Sequence, residues 1–342
     1  MDGDVAPASR DAGRRRVVAP GRPPEPRRAG IVPPSAALRG PDAPVDTSRL
    51  PNFFLLGAPK AGTTSFHGYL KQNSQIFLPY VKEVGFFQID DEYRRGLAYL
   101  VNSYYRTAHG YPARGDASQM YFGNVFAADR IRVVLPESSH RFIVLLRDPV
   151  DRAYSNYLDM VRQRVEAVSF ERGLELEPER LRADPLQSGA FGYVTNSRYA
   201  ERLRPWIERF GRDRFLILFF DDLLSDLRAV MHVTCVFLGI DDVLEPHEMP
   251  LLNSAGGYRF GVLPWLWSAP PWVKRALSTL VDARRRAAIM QFIGGLDARP
   301  SAGPPLADDT VRRLRELFAD DVTELECLTG RDLAAWRQTK VL

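Results

Sequence analysis

The chain has 342 residues, 45% hydrophobic and 26% charged, which is enough apolar content for one large core and too much for a chain disordered throughout. Its formal net charge is +4, yet residues 1–50 hold nine arginines against six acidic residues, so most of the excess sits in that segment and no nucleic-acid partner is expected. No run reaches the roughly 18 uninterrupted apolar residues of a spanning helix, so no transmembrane segment is expected either.

Residues 1–50 are proline-rich ("PGRPPEPRRAGIVPP") with no aromatic residue and little apolar periodicity. Such a segment cannot offset the entropy of ordering and reads as a disordered Arg/Pro-rich arm. It is either a solvated tail or a basic arm that touches an anionic partner. The long apolar run of a secretory signal is missing from it. Cys235 and Cys327 are far apart, a number and spacing that suggest neither a disulfide framework nor a metal site, and a reduced cytoplasmic protein is the expectation.

From Pro51 onward short apolar runs alternate with longer periodic ones, the pattern of a single α/β domain over residues 51–342 with a central parallel β-sheet flanked by helices in three layers. "FFLLG" (53–57), "RFIVLL" (141–146) and "RFLILFF" (214–220) read as buried strands. A helix follows each. "TTSFHGYLKQN" begins at threonines able to cap it. "DPVDRAYSNYLDMVRQR" begins with Asp148 as cap and proline in the first turn. "DDLLSDLRAVMHVTCVFLGI" ends near Gly239. Residues 263–297, with Trp265, Trp267 and Trp272, read as a lid or subdomain on the core, or as a helix lying on a membrane surface. The last run is an amphipathic scaffold helix with Val311, Leu314, Leu317, Phe318 and Val322 on its apolar face.

The chemistry concentrates in "FFLLGAPKAGTTSF". Gly57 and Gly62 have the spacing of an ATP-binding phosphate loop, in the strand-to-helix context such a loop needs, but Thr63 stands where that loop has lysine and Lys60 lies inside it. Backbone amides of Ala61, Gly62, Thr63 and Thr64 would face an anion at the positive end of the helix. A donor with one terminal group on a 5′-phosphate presents less charge than ATP and reacts without a metal. A lysine inside the loop suits such a donor, because it can stabilise charge on the departing phosphate. Arg147, at the carboxyl end of a strand, and Ser155, near the start of the next helix, form a second phosphate site. Two such sites imply a nucleotide phosphorylated at both ends of its ribose.

On these residues the chain resembles the PAPS-dependent sulfotransferase family, whose donor is 3′-phosphoadenosine 5′-phosphosulfate (PAPS) and whose fold is P-loop-like. "GAPKAGTT" is similar to its 5′-phosphosulfate loop and "LLRDPVDRAYSNY" to its 3′-phosphate motif. "PYVKEVGFF", "GDASQMYF" and the ending "LTGRDLAAW" resemble elements of the branch with the heparan sulfate and many bacterial enzymes. The resemblance implies that Lys60, Ala61, Gly62, Thr63 and Thr64 bind the 5′-phosphosulfate, with Lys60 also acting on the leaving group, and that Arg147 and Ser155 hold the 3′-phosphate. It further implies Glu83 as the base that deprotonates a glycan, lipid or small-molecule hydroxyl or amine. No metal is required.

The chain departs from the family's pattern in places. Gly85 stands where some relatives carry a histidine, a role His67 is placed to assume. The lysine- and glycine-rich closing loop has no match, and Arg259 in "NSAGGYRFG" (253–261) is its nearest stand-in, while Asp116 is a candidate for touching the acceptor. Two rival readings remain: an ATP-dependent kinase, with Asp221 and Asp222 as magnesium ligands, and a non-catalytic nucleotide- or glycan-binding relative.

Overall fold

The computed structural model describes residues 45–242 and 304–338. Residues 1–44 of the expected arm, the loop 253–261 with Arg259, and the expected lid at 263–297 lie outside the described residues. The folded body reaches back beyond Pro51, since Leu50 is buried, Val45 packs on the core and the Asp46 carboxylate caps a short turn at Thr47–Arg49.

The three expected strands form as β1 (Phe53–Gly57), β4 (Phe142–Leu146) and β5 (Phe215–Phe219), joined by β2 (Ile76–Phe77) and β3 (Ala113–Asp116). The order is β2-β3-β1-β4-β5, every pairing parallel. β1 and β4 are buried along their whole length, which is why they read as continuous apolar runs. The sequence reading missed β2 and β3. β2 has two residues, and β3 reads "ARGD", in which Gly115 lets Phe53 pack where a Cβ would lie 2.3 Å from its ring.

The helices are α1 (Thr63–Leu70), α2 (Asp90–Tyr93), α3 (Gly96–Tyr104), α4 (Val125–Val134), α5 (Pro149–Arg162), α6 (Phe170–Ala183), α7 (Ser188–Phe191), α8 (Tyr199–Phe210), α9 (Phe220–Ser225), α10 (Leu227–Leu238) and α11 (Asp308–Thr329). α5 is capped as expected, Asp148 accepting the Val150 and Asp151 amides at 2.9 and 3.2 Å. α1 differs from expectation. Gly62, at φ 90°, occupies its cap position, and no threonine hydroxyl caps the helix. The expected helix after β5 is two, because the Asp226 carboxylate accepts the Ala229 amide and starts α10 afresh; Gly239, at φ 71°, ends it.

α11 buries Leu314, Phe318 and Val322 as its periodicity requires, while Leu317 is 45% exposed. The same face carries a charge. Arg315 pairs with Asp148 at 2.7 Å, both side chains buried, and donates to the Trp336 carbonyl at 2.6 Å. The ending "LTGRDLAAW" thereby clamps the β4–α5 junction, with the Trp336 ring against Tyr199 and Phe219. Arg315→Ala leaves the Asp148 carboxylate buried with only its capping amides. The expected loss of stability is on the order of 3 kcal/mol, read as a lowered denaturant midpoint with an unchanged slope.

Candidate active site

The β1–α1 loop turns through two conformations that side chains rarely adopt. Gly62 can do so because it has no Cβ; one added there would meet the Phe220 ring at 2.6 Å. Lys60 takes φ 69° with a Cβ, and Glu83 takes φ 64°; left-handed backbone of this kind costs on the order of 1 kcal/mol and clusters where function requires it. The first i,i+4 bond of α1 is Phe66 N–H to Gly62 O at 3.1 Å, so the amides of Gly62, Thr63 and Thr64 lie in the first turn, where no intrahelical acceptor exists. Ala61 differs. Its amide donates to the Ala58 carbonyl at 3.1 Å, so it shapes the turn from within and offers no amide to a ligand.

Three separated motifs meet at the mouth of this loop. The Thr63 hydroxyl donates to Gln119 Oε1 at 2.8 Å, and the Gln119 amide donates to Glu83 Oε2 at 2.9 Å. Lys82 Nζ donates to Thr64 Oγ1 at 3.1 Å and lies 3.4 Å from both Thr63 Oγ1 and Glu83 Oε1. The Glu83 side chain keeps about a third of its surface exposed, but it is set deep among protein atoms, and desolvation raises its carboxyl pKa against the opposing pull of Lys82. The sequence reading gave neither Lys82 nor Gln119 a role. Lys82 had a signal in its adjacency to Glu83; Gln119 had none, because its contacts are long-range.

Lys60 Nζ pairs with Asp159 of α5 at 3.0 Å, and Arg162 binds the other oxygen of that carboxylate. Burial lowers the Lys60 pKa, and Asp159 opposes the shift. Asp159 is a third residue that the sequence reading missed.

Asp116 sits elsewhere than expected. It is fully buried and cannot touch an acceptor: Ser118 donates to its Oδ1 at 2.6 Å and Tyr121 to its Oδ2 at 3.0 Å. Ser118 Oγ and Tyr121 OH in turn accept the Gly85 and Phe87 amides, so Asp116 braces the segment that carries Glu83. Desolvation pushes its pKa up to about 7. His67 is buried on α1, and desolvation pushes its pKa down to about 3; it stays neutral near pH 7 and cannot donate as an imidazolium. Of the two acids the kinase reading needs, Asp222 is held by Arg331 at 2.5 Å.

Arg147 follows β4 and leans over the Phe220 ring, 5.1 Å from its centroid. Its contact with Asp151 is loose, at 3.8 Å, and its buried Nε has no hydrogen-bond partner among the described residues. Ser155 is half-buried one helical turn beyond Asp151, on the same face of α5. Phe220 therefore separates two anion-seeking positions, the loop at Gly62 and the guanidinium of Arg147. Gly62→Ala is expected to displace that ring and strain the loop, weakening binding of adenosine 3′,5′-bisphosphate at least tenfold by calorimetry.

These features fit a nucleotide with two anionic ends. The unpartnered Arg147 Nε and the open amides of α1 would both gain partners from it.

A sequence profile described as "Sulfotransferase domain" matches residues 50–249. Curated relatives include mouse heparan sulfate glucosamine 3-O-sulfotransferase 3A1, 26% identical over 84% of this chain and 64% of its own length. Human heparan sulfate glucosamine 3-O-sulfotransferase 6 is 27% identical over 87% of this chain and 80% of its own. This chain thus spans just under two thirds of the first of them. A solved sulfotransferase from Alicyclobacillus acidocaldarius superposes with a TM-score of 0.61 at 27% identity, over 84% of this chain and 99% of that one.

Proposed function

The chain belongs to the sulfotransferase domain family, and from that premise we propose that it moves a sulfuryl group from PAPS to a hydroxyl, or less readily an amine, of a glycan, lipid or small-molecule acceptor. The observation that carries the reading is the joining of the first turn of α1 to Glu83 through Thr63, Gln119 and Lys82, with Lys60 in the same loop and within electrostatic reach of Lys82.

In this reading the acceptor oxygen attacks sulfur in line, and the bond from sulfur to the bridging oxygen breaks. Glu83 takes the acceptor proton; its raised pKa makes it a stronger base than an ordinary glutamate. Lys60 donates to the bridging oxygen as charge grows there. The open amides of α1, with Lys82 at their hydroxyls, neutralise the 5′-phosphate, and Arg147 with Ser155 holds the 3′-phosphate. The products are a sulfate ester and adenosine 3′,5′-bisphosphate. Every charge in this scheme is met by side chains or amides, so no metal is called for. A cytoplasmic setting belongs to the same reading, supported by the free thiols of Cys235 and Cys327.

The test is transfer of labelled sulfate from PAPS to an acceptor panel, beside calorimetry with adenosine 3′,5′-bisphosphate in the absence of magnesium. Magnesium-dependent ATP binding would move the reading to a kinase. Donor binding without transfer to any acceptor would move it to a non-catalytic relative.

A pH consequence follows from the two opposed shifts. Activity needs Glu83 ionised and Lys60 charged. The acidic limb of kcat/KM therefore lies above the usual glutamate value of 4.5, and the alkaline limb below the usual lysine value of 10.5. Asp159→Asn removes the charge that supports the Lys60 ammonium, so the alkaline limb is expected to move to lower pH while the acidic limb stays.

A further inference from the structure

Beside the cleft lies a cavity of about 450 Å³, within the range of small-molecule sites. Its walls include Pro59, which precedes Lys60, and Gln119, whose amide holds Glu83. A molecule seated there lies against the neighbours of both groups of the reaction. Met120, Phe122 and Phe126 make much of the wall apolar, and Arg202 of α8 stands among them.

Arg202 is the unusual member. Its Nε donates to the Thr195 carbonyl at 2.8 Å, but among the described residues no carboxylate lies within ion-pair distance of its guanidinium. Three acids act on it from beyond ion-pair distance, and each has another partner: Glu201, the strongest of them, is exposed and lies 3.7 Å from Arg198. Glu177 accepts the Val194 and Thr195 amides at 2.8 Å each, and Asp321 accepts those of Ala200 and Glu201. A desolvated cation without a counter-ion is costly unless a ligand supplies one. The backbone makes room for it: a Cβ on Gly123 would fall 1.6 Å from Arg202 Nη1.

We propose that this cavity is the acceptor site and takes a small amphipathic hydroxy acid, its carboxylate on Arg202, its apolar body against Met120, Phe122 and Phe126, and its hydroxyl toward Glu83. The assignment rests on the sulfotransferase reading and adds to it the class of acceptor. A cavity of about 450 Å³ suits one compact molecule.

The experiment uses the full chain with PAPS and two probe pairs: a para-hydroxyphenyl carboxylate and an omega-hydroxyalkyl carboxylate, each beside its neutral primary amide. The wild type is expected to favour acid over amide by about 10- to 100-fold in kcat/KM, the effect of a hydrogen bond to a charged group. Arg202→Gln is expected to erase that preference while leaving amide turnover within about threefold. Gly123→Ala should do the same with Arg202 intact, since the atom it displaces is the end of a flexible side chain. Adenosine 3′,5′-bisphosphate affinity should stay unchanged in both variants. Equal rates on acid and amide, a preference that survives Arg202→Gln, or turnover confined to sulfated oligosaccharides overturns the assignment, as does normal donor binding with no turnover of either pair. Absence of donor binding by the wild type instead rejects the sulfotransferase reading beneath it.

Discussion

Lys60→Ala is expected to lower kcat on the order of a thousandfold, with binding of adenosine 3′,5′-bisphosphate reduced far less. The asymmetry arises because the bridging oxygen carries little extra charge in the ground state and gains it as the bond to sulfur breaks. A donor aimed at that oxygen therefore acts mainly on the transition state. The fold should survive the change, because Asp159 keeps Arg162 as a partner. Lys60→Arg should not restore the rate: a planar guanidinium is broader than an ammonium and cannot take its place in the turn between Ala58 and Gly62. Near-normal turnover by purified Lys60→Ala enzyme would end the leaving-group assignment.

Glu83→Gln is expected to reduce kcat by about 10²- to 10⁴-fold, the usual contribution of a positioned general base. Glutamine keeps an oxygen able to accept the Gln119 amide, so the loop that joins the motifs should hold its shape. Donor affinity serves as the control and should change little. The acidic limb of the pH profile should also disappear, since the group that titrates there has gone. If that limb persists in the variant with a normal rate, another group is the base, and Glu83 serves only to tie Gln119 to Lys82.

Much of this was legible along the chain because its determinants are local. The Gly57–Gly62 spacing, the strand before it and the helix after it lie within a few residues of one another, and so do β4, its Asp148 cap and the Pro149 start of α5. Hydrophobic runs marked β1, β4 and β5 because strands buried on both faces have little polar sequence. β3 escaped notice because its identity depends on Phe53 packing against Gly115, a partner 62 residues away. Asp116 was misread for the same reason. A lone acid in a glycine-containing segment looks available to a ligand, and only Ser118 and Tyr121 closing on its two oxygens show that it is a brace.

The sequence by itself determined where an anionic donor is expected and supports the donor class proposed above, since a lysine moved into the loop and an arginine at the end of the next buried strand carry their meaning in their local positions. The tertiary structure decided how that chemistry is assembled. Parallel pairing of β1 with both β3 and β4 brings Gln119, Thr63, Lys82 and Glu83 to one mouth, sets Asp159 against Lys60, and leaves Arg202 facing a cavity with no carboxylate of the described residues at ion-pair distance. Those relations depend on distances through space between residues far apart in the chain. Spacing along a sequence does not encode such distances once the connections between elements exceed a single turn.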